Sequence, residues 1–549
     1  MNLNIQKNKG RLLRREIDNV LSAIKRLFFY FSLASTLARS PALILSRLLK
    51  RNLVEQARNL SLVDPRLFLN RTSHSGFFTV DEKYNSNLFF WYFQAENFTP
   101  DTPWILWLQG GPGATSLAGL FDEIGPFEYS NNQLKLRKYS WTKDHSVLFI
   151  DNPVGAGFSF TDSPKGFVQD MATCSSHLYS ALRQFVMVFP ELKKAPLYIA
   201  GESYAGRYLP ALGLKILEQD RSIGVLDVNL QGIMIGNPVL GRDSIADYST
   251  FYHQWGLVDT QGKLAVKPLQ DAYNKAIENG ESDTAARLRE ELLNKLDDMS
   301  MQQQTFNILL DSISNLNDFV EYITRPEVSD ALHTGSIKFV FHNDTAHARL
   351  TPDFLSEVNS KVEMLLNHYR VLIYCGQLDL TAPCVPNAEA RRKHWRWNHR
   401  QDFLNAARTP WWYDGRVAGY VKSGGSLTEV LVRGAGHLVP MDRPAETVEL
   451  ITYFIKNYDL QLPPNYHIVP EDTAKYIDQD EGISKAILQI PGANTPSGSQ
   501  AAMVVSIVLN VMLILAIVCG VVYALRWKKR TDAYLYNNVE ETSITSTMF

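Results

Sequence analysis

Three residues of the types that together perform nucleophilic catalysis occur along the chain in the order Ser203, Asp379 and His437. A serine hydroxyl is a poor nucleophile at neutral or acidic pH, so it needs a base within hydrogen-bond reach and a third group that holds this base. Each of the three residues follows a short apolar run and has glycine close by. A lone histidine or aspartate in a loop is usually solvated structure, but three in this order predict acyl transfer by a serine nucleophile.

The serine lies in a predicted turn between a strand and a helix. The apolar run 197–200 precedes the turn Gly201-Glu202-Ser203-Tyr204-Ala205-Gly206. An elbow of this kind holds its serine in strained backbone geometry beyond the end of the sheet, and small neighbours let the turn close. Ala205 stands where the usual pattern has glycine, and alone the hexapeptide is equally compatible with a structural turn.

The aspartate and the histidine occupy comparable positions. Asp379 follows the predicted strand 371–375, and His437 follows the predicted strand 429–433. The three candidates therefore lie beyond the carboxyl ends of strands, where open α/β sheets hold their sites. Their chain order, serine then aspartate then histidine, is that of α/β-hydrolases.

A glycine-rich turn supplies a second feature with chemical meaning, the run Trp107-Leu108-Gln109-Gly110-Gly111-Pro112-Gly113. Backbone amides in such a turn can face the negative charge that develops on a substrate oxygen. The alternative is a tight turn that needs glycine for its conformation alone. Its position after a strand favours the oxyanion role.

The elements that must position these residues are predicted from alternating apolar runs and helical stretches. This alternation indicates a sheet covered by helices, an α/β fold. Residues about 254–330 depart from the pattern, because they are rich in Lys, Glu, Gln and Leu, and they predict an inserted helical cap. The predicted strands include 88–93, 104–108, 147–150, 197–200, 228–235, 369–375 and 428–433, and the helices include 166–189 and 445–456.

Taken together, the motifs resemble those of serine carboxypeptidases, and among them the vitellogenic-like branch. The resemblance covers roughly 77–458 and rests on the glycine-rich turn, the elbow, and the runs Asp151-Asn152-Pro153-Val154-Gly155, Gly157-Phe158-Ser159-Phe160, Leu372-Ile373-Tyr374, Gly376-Gln377-Leu378-Asp379 and Gly436-His437. It implies an α/β-hydrolase fold with a mixed, mostly parallel central sheet. It also implies a serine-type carboxypeptidase that needs no metal or cofactor and acts on peptide or protein C-termini.

The same resemblance assigns roles to individual residues. Ser203 is the implied nucleophile, His437 the general base and acid, and Asp379 the residue that orients the histidine. The amides of Gly111 and Tyr204 are the implied oxyanion hole. The free carboxylate of the substrate would be bound by Trp107, Gln109, Glu123 and Glu202.

Two glutamates beside a substrate carboxylate have a physical consequence. Three anionic groups cannot share a small site, so Glu123, Glu202 or both must hold a proton and donate a hydrogen bond. We therefore expect activity to be favoured at acidic pH, with the lower limit set by protonation of His437. An acidic optimum is typical of lysosomal, endosomal or vacuole-like compartments.

Departures from the family pattern leave the triad intact. Gln109 replaces the asparagine of the wider family, and Ala114 and Thr115 replace a common Cys-Ser pair. Cys375 replaces an asparagine, and it is expected either to bond Cys384 or to pack as a small apolar side chain. With only four cysteines in the chain, at most one disulfide is expected.

The composition of the chain limits the class of protein and the cellular compartment that we expect. With 45% hydrophobic residues and a net charge of −2, the chain has material for a large core and no sign of a nucleic-acid partner. Residues 501–525 carry no charge and precede a basic cluster, which predicts a transmembrane helix with residues 526–549 as a cytosolic tail. Sequons that could accept glycans in the secretory route occur at Asn59, Asn70, Asn97 and Asn343.

The remaining segments complete the predicted organisation. Residues 1–65 form a leader, either a cleaved signal or an uncleaved anchor, with a propeptide included, and 66–460 form the catalytic domain. Residues 461–500 read as a flexible stalk. Tyr536 and Val539 resemble a tyrosine-based sorting signal that an adaptor would bind. The expected location is a membrane of the secretory and endolysosomal pathway, with the catalytic domain lumenal or extracellular.

Two other readings of the chain stay open at this stage. One is an acyltransferase or esterase on the same scaffold, because an acyl-enzyme can pass to an alcohol instead of water. The other is a catalytically silent binding or scaffold protein, although such proteins generally lose the nucleophile or the base. Residue preference, natural substrate and oligomeric state do not follow from the sequence.

Overall fold

The computed structural model describes residues 41–219, 224–241, 247–302, 304–313, 316–354, 356, 358–458 and 460. Ten strands form one sheet in the order β1-β2-β6-β3-β7-β8-β9-β12-β11-β10, and β4 and β5 form a separate hairpin. The strands are β1 Ser73–Asp81, β2 Ser86–Phe93, β3 Trp104–Leu108, β4 Phe127–Ser130, β5 Gln133–Leu136, β6 Ser146–Ile150, β7 Pro196–Glu202, β8 Asn229–Gly236, β9 Arg370–Gly376, β10 Arg408–Tyr413, β11 Arg416–Gly424 and β12 Leu427–Val432.

The centre of the sheet is parallel and its two margins are antiparallel. Strands β6, β3, β7, β8, β9 and β12 run parallel to their neighbours in this group. The pairs β1–β2, β2–β6, β11–β12 and β10–β11 are antiparallel. Every residue of β2, β3 and β6 is buried, as expected for strands covered on both faces. The predicted mixed, mostly parallel sheet is confirmed.

Helices cover both faces of the sheet and build the insertion. They are α1 Ser46–Leu49, α2 Val54–Leu60, α3 Met171–Val188, α4 Ala205–Glu218, α5 Tyr248–Gln254, α6 Thr260–Glu278, α7 Ser282–Ser300, α8 Phe319–Ile323, α9 Pro326–Ala331, α10 Asp344–Leu350, α11 Asn359–Leu366, α12 Cys384–His394, α13 Arg400–Asn405, α14 Val439–Asp442 and α15 Pro444–Lys456. One core cluster contains side chains of α3 and α4, and the cluster on the other face contains side chains of α15. The predicted helices at 166–189 and 445–456 correspond to α3 and α15.

The folded domain begins before the predicted boundary at residue 66. Leu45 and Ala57 are fully buried in the core cluster beneath α3, and the amide of Leu45 donates to the carbonyl of Phe77 in β1. Residues 41–65 are thus packed as part of the catalytic domain. Sequence patterns do not predict this packing, because α1 and α2 are too short to show a clear helical period.

The helical cap is inserted between β8 and β9, and it is more extensive than the predicted range of about 254–330. Its long helices α6 and α7 pack on α5 around a small core of their own that includes Tyr252, Tyr273 and Leu292. Helices α10 and α11 also belong to the insertion but lie beyond residue 330. Both have fewer than ten residues, so their sequences are too short to show a helical period.

Several predictions concern residues outside the described part of the chain. These are the leader up to residue 40, the stalk at 461–500, the transmembrane helix at 501–525 and the tail with Tyr536. Among the described residues, no helix combines the length and apolar character needed to cross a membrane.

Candidate active site

Ser203 lies at the turn between β7 and α4, as the elbow motif predicts. Its φ angle is +58°, a left-handed conformation that few residues other than glycine adopt. The turn is held because the Ser203 amide donates to the carbonyl of Gly236 at 2.9 Å, and the Ser203 carbonyl accepts from the amide of Val239 at 3.0 Å. Backbone strain at a serine that the surrounding structure fixes in this way is typical of a nucleophile elbow.

Asp379 and His437 are brought together at the ends of β9 and β12. The Nδ1–H of His437 donates to Oδ2 of Asp379 at 2.7 Å, and both side chains are almost fully buried. This contact leaves Nε2 as the nitrogen that can serve the serine. Ser203 Oγ makes no hydrogen bond to His437 within the described chain, and such bonds are often loose before substrate binds.

Asn237 is a site residue that sequence reasoning missed. It follows β8, and its Nδ2 donates to Oδ2 of Asp379 at 2.5 Å while its Oδ1 accepts from the amide of Gly376 at 3.2 Å. The amides of Thr381 and Ala382 donate to Oδ1 of the same aspartate at 2.7 and 3.1 Å. Three further donors thus fix the carboxylate that orients His437. The only signal in the sequence is its place two residues after the predicted strand 228–235.

The glycine-rich turn after β3 lies directly against the elbow. A Cβ on Gly110 would lie 2.7 Å from both the Ser203 Cβ and the Tyr204 amide nitrogen, so only glycine fits there. The next residue, Gly111, has a φ angle of +108°. Within the described residues neither the Gly111 amide nor the Tyr204 amide donates a hydrogen bond. Two uncommitted amides beside the nucleophile are what an oxyanion hole requires.

A buried chain of hydrogen bonds joins the four residues predicted to read a substrate carboxylate. Trp107 Nε1 donates to Gln109 Oε1 at 3.0 Å, which orients the amide of Gln109. Its Nε2 then donates to Glu202 Oε1 at 2.6 Å and to Glu123 Oε1 at 3.2 Å. The remaining oxygen of each glutamate, Oε2, is buried without a partner.

The two glutamates are protonated more readily than ordinary carboxyls. Burial raises the pKa of Glu123 to about 7. Burial, and then the negative charge of Glu123, raise the pKa of Glu202 well above its usual range. Two buried carboxyls in contact cannot both ionise, so the pair holds at least one proton up to neutral pH.

The register of the sheet places a tyrosine beside this pair. Leu108 pairs with Gly201, and Glu202, Gly236 and Tyr374 are paired in turn across β7, β8 and β9. Gly236 has no side chain, and its absent Cβ would lie 2.8 Å from the ring of Tyr374. The tyrosine therefore covers the gap, and its buried hydroxyl has no partner. Tyr374 belongs to one of the family motifs, but the motif alone assigns it no role.

The chain that directly follows the glycine-rich turn is hydrogen-bonded to a buried aspartate, Asp151. Its Oδ1 accepts from the hydroxyl of Thr115 at 2.6 Å and from the amide of Ser116 at 2.9 Å. Its Oδ2 accepts from the amide of Phe158 at 2.9 Å. Burial raises the pKa of Asp151 to about 6. Thr115 and Ser116 thus fix the chain that follows the glycine-rich turn to this carboxylate.

The structure describes the predicted cysteine pair and all four sequons. Cys375 and Cys384 are joined by a disulfide. Among the sequons, Asn59, Asn70 and Asn97 are exposed. In contrast, Asn343 caps α10 through Oδ1, and its Nδ2 donates to the carbonyl of Gly155 at 2.9 Å.

Comparison with known proteins gives consistent matches. The profile of the serine carboxypeptidase family matches residues 64–457. The venom serine carboxypeptidase of Apis mellifera is 37% identical over 428 residues, 76% of this chain and 91% of that protein. The vitellogenic carboxypeptidase of Aedes aegypti is 37% identical over 431 residues, covering 76% and 90%. The solved structure of Kex1(Δ)p, a prohormone-processing carboxypeptidase of Saccharomyces cerevisiae, is 23% identical, with a TM-score of 0.64 over 73% of this chain and 96% of that one, and it shows the fold.

Proposed function

The chain belongs to the serine carboxypeptidase family and is an enzyme of that type, and we propose that it releases C-terminal residues from peptides at acidic pH through an acyl-enzyme on Ser203. The observation that carries the proposal is the hydrogen-bonded set of Gln109, Glu123 and Glu202, in which Gln109 belongs to the oxyanion turn and Glu202 directly precedes the nucleophile. Such a set gives an acyl-transfer site the means to select substrates that end in a carboxylate.

The triad would act in two half-reactions. In the first, His437 Nε2 takes the proton of Ser203 Oγ as the oxygen attacks the scissile carbonyl, and Asp379 stabilises the imidazolium. The amides of Gly111 and Tyr204 stabilise the oxyanion, and His437 then passes the proton to the leaving amine. In the second, His437 takes a proton from the water that attacks the acyl carbon. The bond from that carbon to Ser203 Oγ then breaks, His437 returns the proton to Oγ, and the shortened peptide leaves with a new carboxylate.

The glutamate pair would bind the carboxylate of the departing residue. A protonated carboxyl donates a hydrogen bond to a carboxylate, whereas an ionised one repels it. Because the pKa of Glu123 is about 7 and that of Glu202 is higher than usual, the pair offers such a donor at acidic pH. The rate should fall on the alkaline side as the pair loses its last proton.

Reaction with a small fluorophosphonate and steady-state peptidase assays test the role of the triad. We expect the wild-type protein to be inactivated by the fluorophosphonate and to be indifferent to chelators. Because triad members act as a unit, Ser203→Ala and His437→Ala should each lower kcat by about 10⁶. Full activity of Ser203→Ala, or inhibition by a chelator alone, would remove the proposed mechanism.

We further propose that residues 501–525 anchor the enzyme in a membrane with its catalytic domain lumenal or extracellular. Support comes from the uncharged run and the basic residues that follow it. A tag at Phe549 should be degraded by protease added outside sealed microsomes, and a protected tag would contradict this orientation. If Tyr536 is part of a sorting signal, Tyr536→Ala should move the enzyme from internal vesicles to the cell surface.

A further inference from the structure

A short piece of the cap, residues 304–308, lies against both loops that carry the catalytic aspartate and histidine. We call residues 304–308 the clamp segment. On one side the carbonyl of Thr305 accepts from the amide of Leu380 at 3.0 Å, and the amide of Ile308 donates to the carbonyl of Leu378 at 3.0 Å. These two bonds flank Asp379, so the clamp segment pairs with the aspartate loop much as one strand pairs with another.

On its other side the clamp segment holds the histidine loop. The carbonyl of Phe306 accepts from the backbone amide of His437 at 2.5 Å. Asp442 Oδ2 accepts both from Asn307 Nδ2 at 2.9 Å and from the amide of Gly436 at 2.7 Å. A Cβ at Gly436 would overlap the Phe306 carbonyl. The approach is therefore so close that the histidine loop requires glycine at this position.

The side chain of Phe306 makes the contact that bears on catalysis. Its ring stacks on the imidazole of His437, with ring centroids 4.7 Å apart and planes inclined by 27°. The hydrogen bond from Nδ1 to Asp379 fixes one edge of the imidazole but leaves the ring able to tilt about that contact. A flat aromatic ring against its face removes this freedom, since tilting would lose the stacking contact.

We propose that the clamp segment is a positioning element of the catalytic machinery and that Phe306 positions the imidazole of His437 for proton transfer with Ser203. Phe306 acts through His437, so it is a positioning residue rather than a catalytic one. The proposal rests on the proposed role of His437 as general base. It explains why a segment of the cap, an insertion outside the sheet, is bonded to both catalytic loops.

Substitutions that remove the flat ring and keep the apolar volume test the proposal. Phe306→Leu and the more adaptable Phe306→Met should each lower kcat by about 10- to 100-fold, because misplacing a catalytic group by about 1 Å costs about 100-fold. KM should change less than threefold, because the clamp segment makes no hydrogen bond to Gln109, Glu123 or Glu202. The rate of inactivation by a small fluorophosphonate should fall by a factor similar to that in kcat.

Two controls separate positioning from general packing. Phe306→Tyr keeps the flat ring and should retain kcat within about threefold of wild type. Phe251→Leu removes a half-buried phenylalanine of cap helix α5 whose ring contacts Trp255 edge to face, and it should lower thermal stability with kcat unchanged.

Unchanged kcat and inactivation rate in both ring-free variants would overturn the proposal, as would an equal loss in Phe251→Leu. If wild-type protein itself failed to react with the fluorophosphonate, the proposed function would fall first, so the two failures are distinguishable.

Discussion

Single side chains set the chemistry of this site by sharing protons and hydrogen bonds. Gln109 uses one amide nitrogen for both glutamates, and it can do so because Trp107 occupies its oxygen. Asn237 likewise uses both ends of its amide: the nitrogen donates to Asp379, and the oxygen accepts from the backbone amide of Gly376. In both cases a neutral amide fixes a carboxyl group in a site from which water is largely excluded.

Replacement of Asn237 tests whether its hydrogen bond to Asp379 contributes to catalysis. Asn237→Ala removes a hydrogen bond to a charged group, which is worth about 1.5 to 3 kcal/mol, so kcat should fall by about 10- to 100-fold with KM little changed. Asn229→Ala, on the exposed first residue of the same strand β8, is the matched control and should leave kcat unaltered. Equal kcat values for wild type and Asn237→Ala would show that Asp379 is oriented without this amide.

The raised pKa of Glu123 also predicts how stability depends on pH. A carboxyl whose pKa rises on folding, here from 4.5 to about 7, binds its proton more tightly in the folded state. Its stabilising contribution is present below pH 4.5 and is lost as pH rises to about 7, by at most about 3 kcal/mol. The free energy of unfolding, measured with urea, should therefore decline less between pH 5 and pH 8 in Glu123→Gln than in wild type. A decline as steep as that of wild type would place the titration elsewhere.

The identity of the main site residues could be predicted from sequence because their motifs occur directly after apolar runs. Ser203, Asp379 and His437 each follow a strand in the structure, and the Glu123–Glu202 contact was expected from the family resemblance. Asn237 and Tyr374 could not be assigned in this way, because their roles depend on which strands are neighbours in the sheet. Strand order is a property of tertiary packing, which local pattern does not reveal.

At the scale of elements, the site is made by loops that close on each other at the carboxyl ends of parallel strands. The turn after β3 contacts the elbow after β7, and the loops after β9 and β12 are bridged by the clamp segment. The antiparallel margin β10–β11 was not predicted, because its proline and two tryptophans at 410–412 break the apolar alternation. The central strands were predicted, since continuous apolar runs are typical of strands covered on both faces.

A methyl group at the close contact between the turn after β3 and the elbow after β7 should separate these two elements. Gly110→Ala would place Cβ 2.7 Å from Ser203 Cβ and from the Tyr204 amide nitrogen, which would displace the oxyanion turn. Loss of one oxyanion donor costs about 2.7 to 4 kcal/mol, so kcat should fall by about 10²- to 10³-fold.

Gly256→Ala is the control for this substitution. Gly256 has a positive φ of +71° but no atom within 4 Å of the added methyl group, so kcat should persist. Retained activity in Gly110→Ala would contradict the proposed oxyanion role of this turn.

At the scale of the whole molecule, the described chain is a catalytic domain with a large cap. Cys375 and Cys384 form a disulfide, a bond that persists in oxidising compartments. The packed segment 41–65 and the extent of the cap were not predicted, because short helices owe their stability to tertiary contacts. Both depend on the assembled core rather than on local sequence.

The sequons provide a prediction at this scale. Asn59, Asn70 and Asn97 are exposed and should carry glycans after expression in a secretory host, whereas Asn343 should not, because its Nδ2 is bonded to Gly155 within the fold. Mass analysis of the four Asn→Gln variants should show one glycan lost from each of the first three and none from Asn343→Gln. A glycan mapped to Asn343 in the active enzyme would contradict this arrangement.

The most direct test of the central claim compares a blocked dipeptide with its C-terminal amide between pH 4.5 and pH 8.5, using wild type and Glu202→Gln. If a shared glutamate proton binds the substrate carboxylate, kcat/KM for the free acid should fall by up to about tenfold per pH unit on the alkaline side. The amide should decline less over the same range, and Glu202→Gln should flatten the decline for the free acid. One identical pH profile for both substrates and for the variant would contradict carboxylate recognition by the glutamate pair.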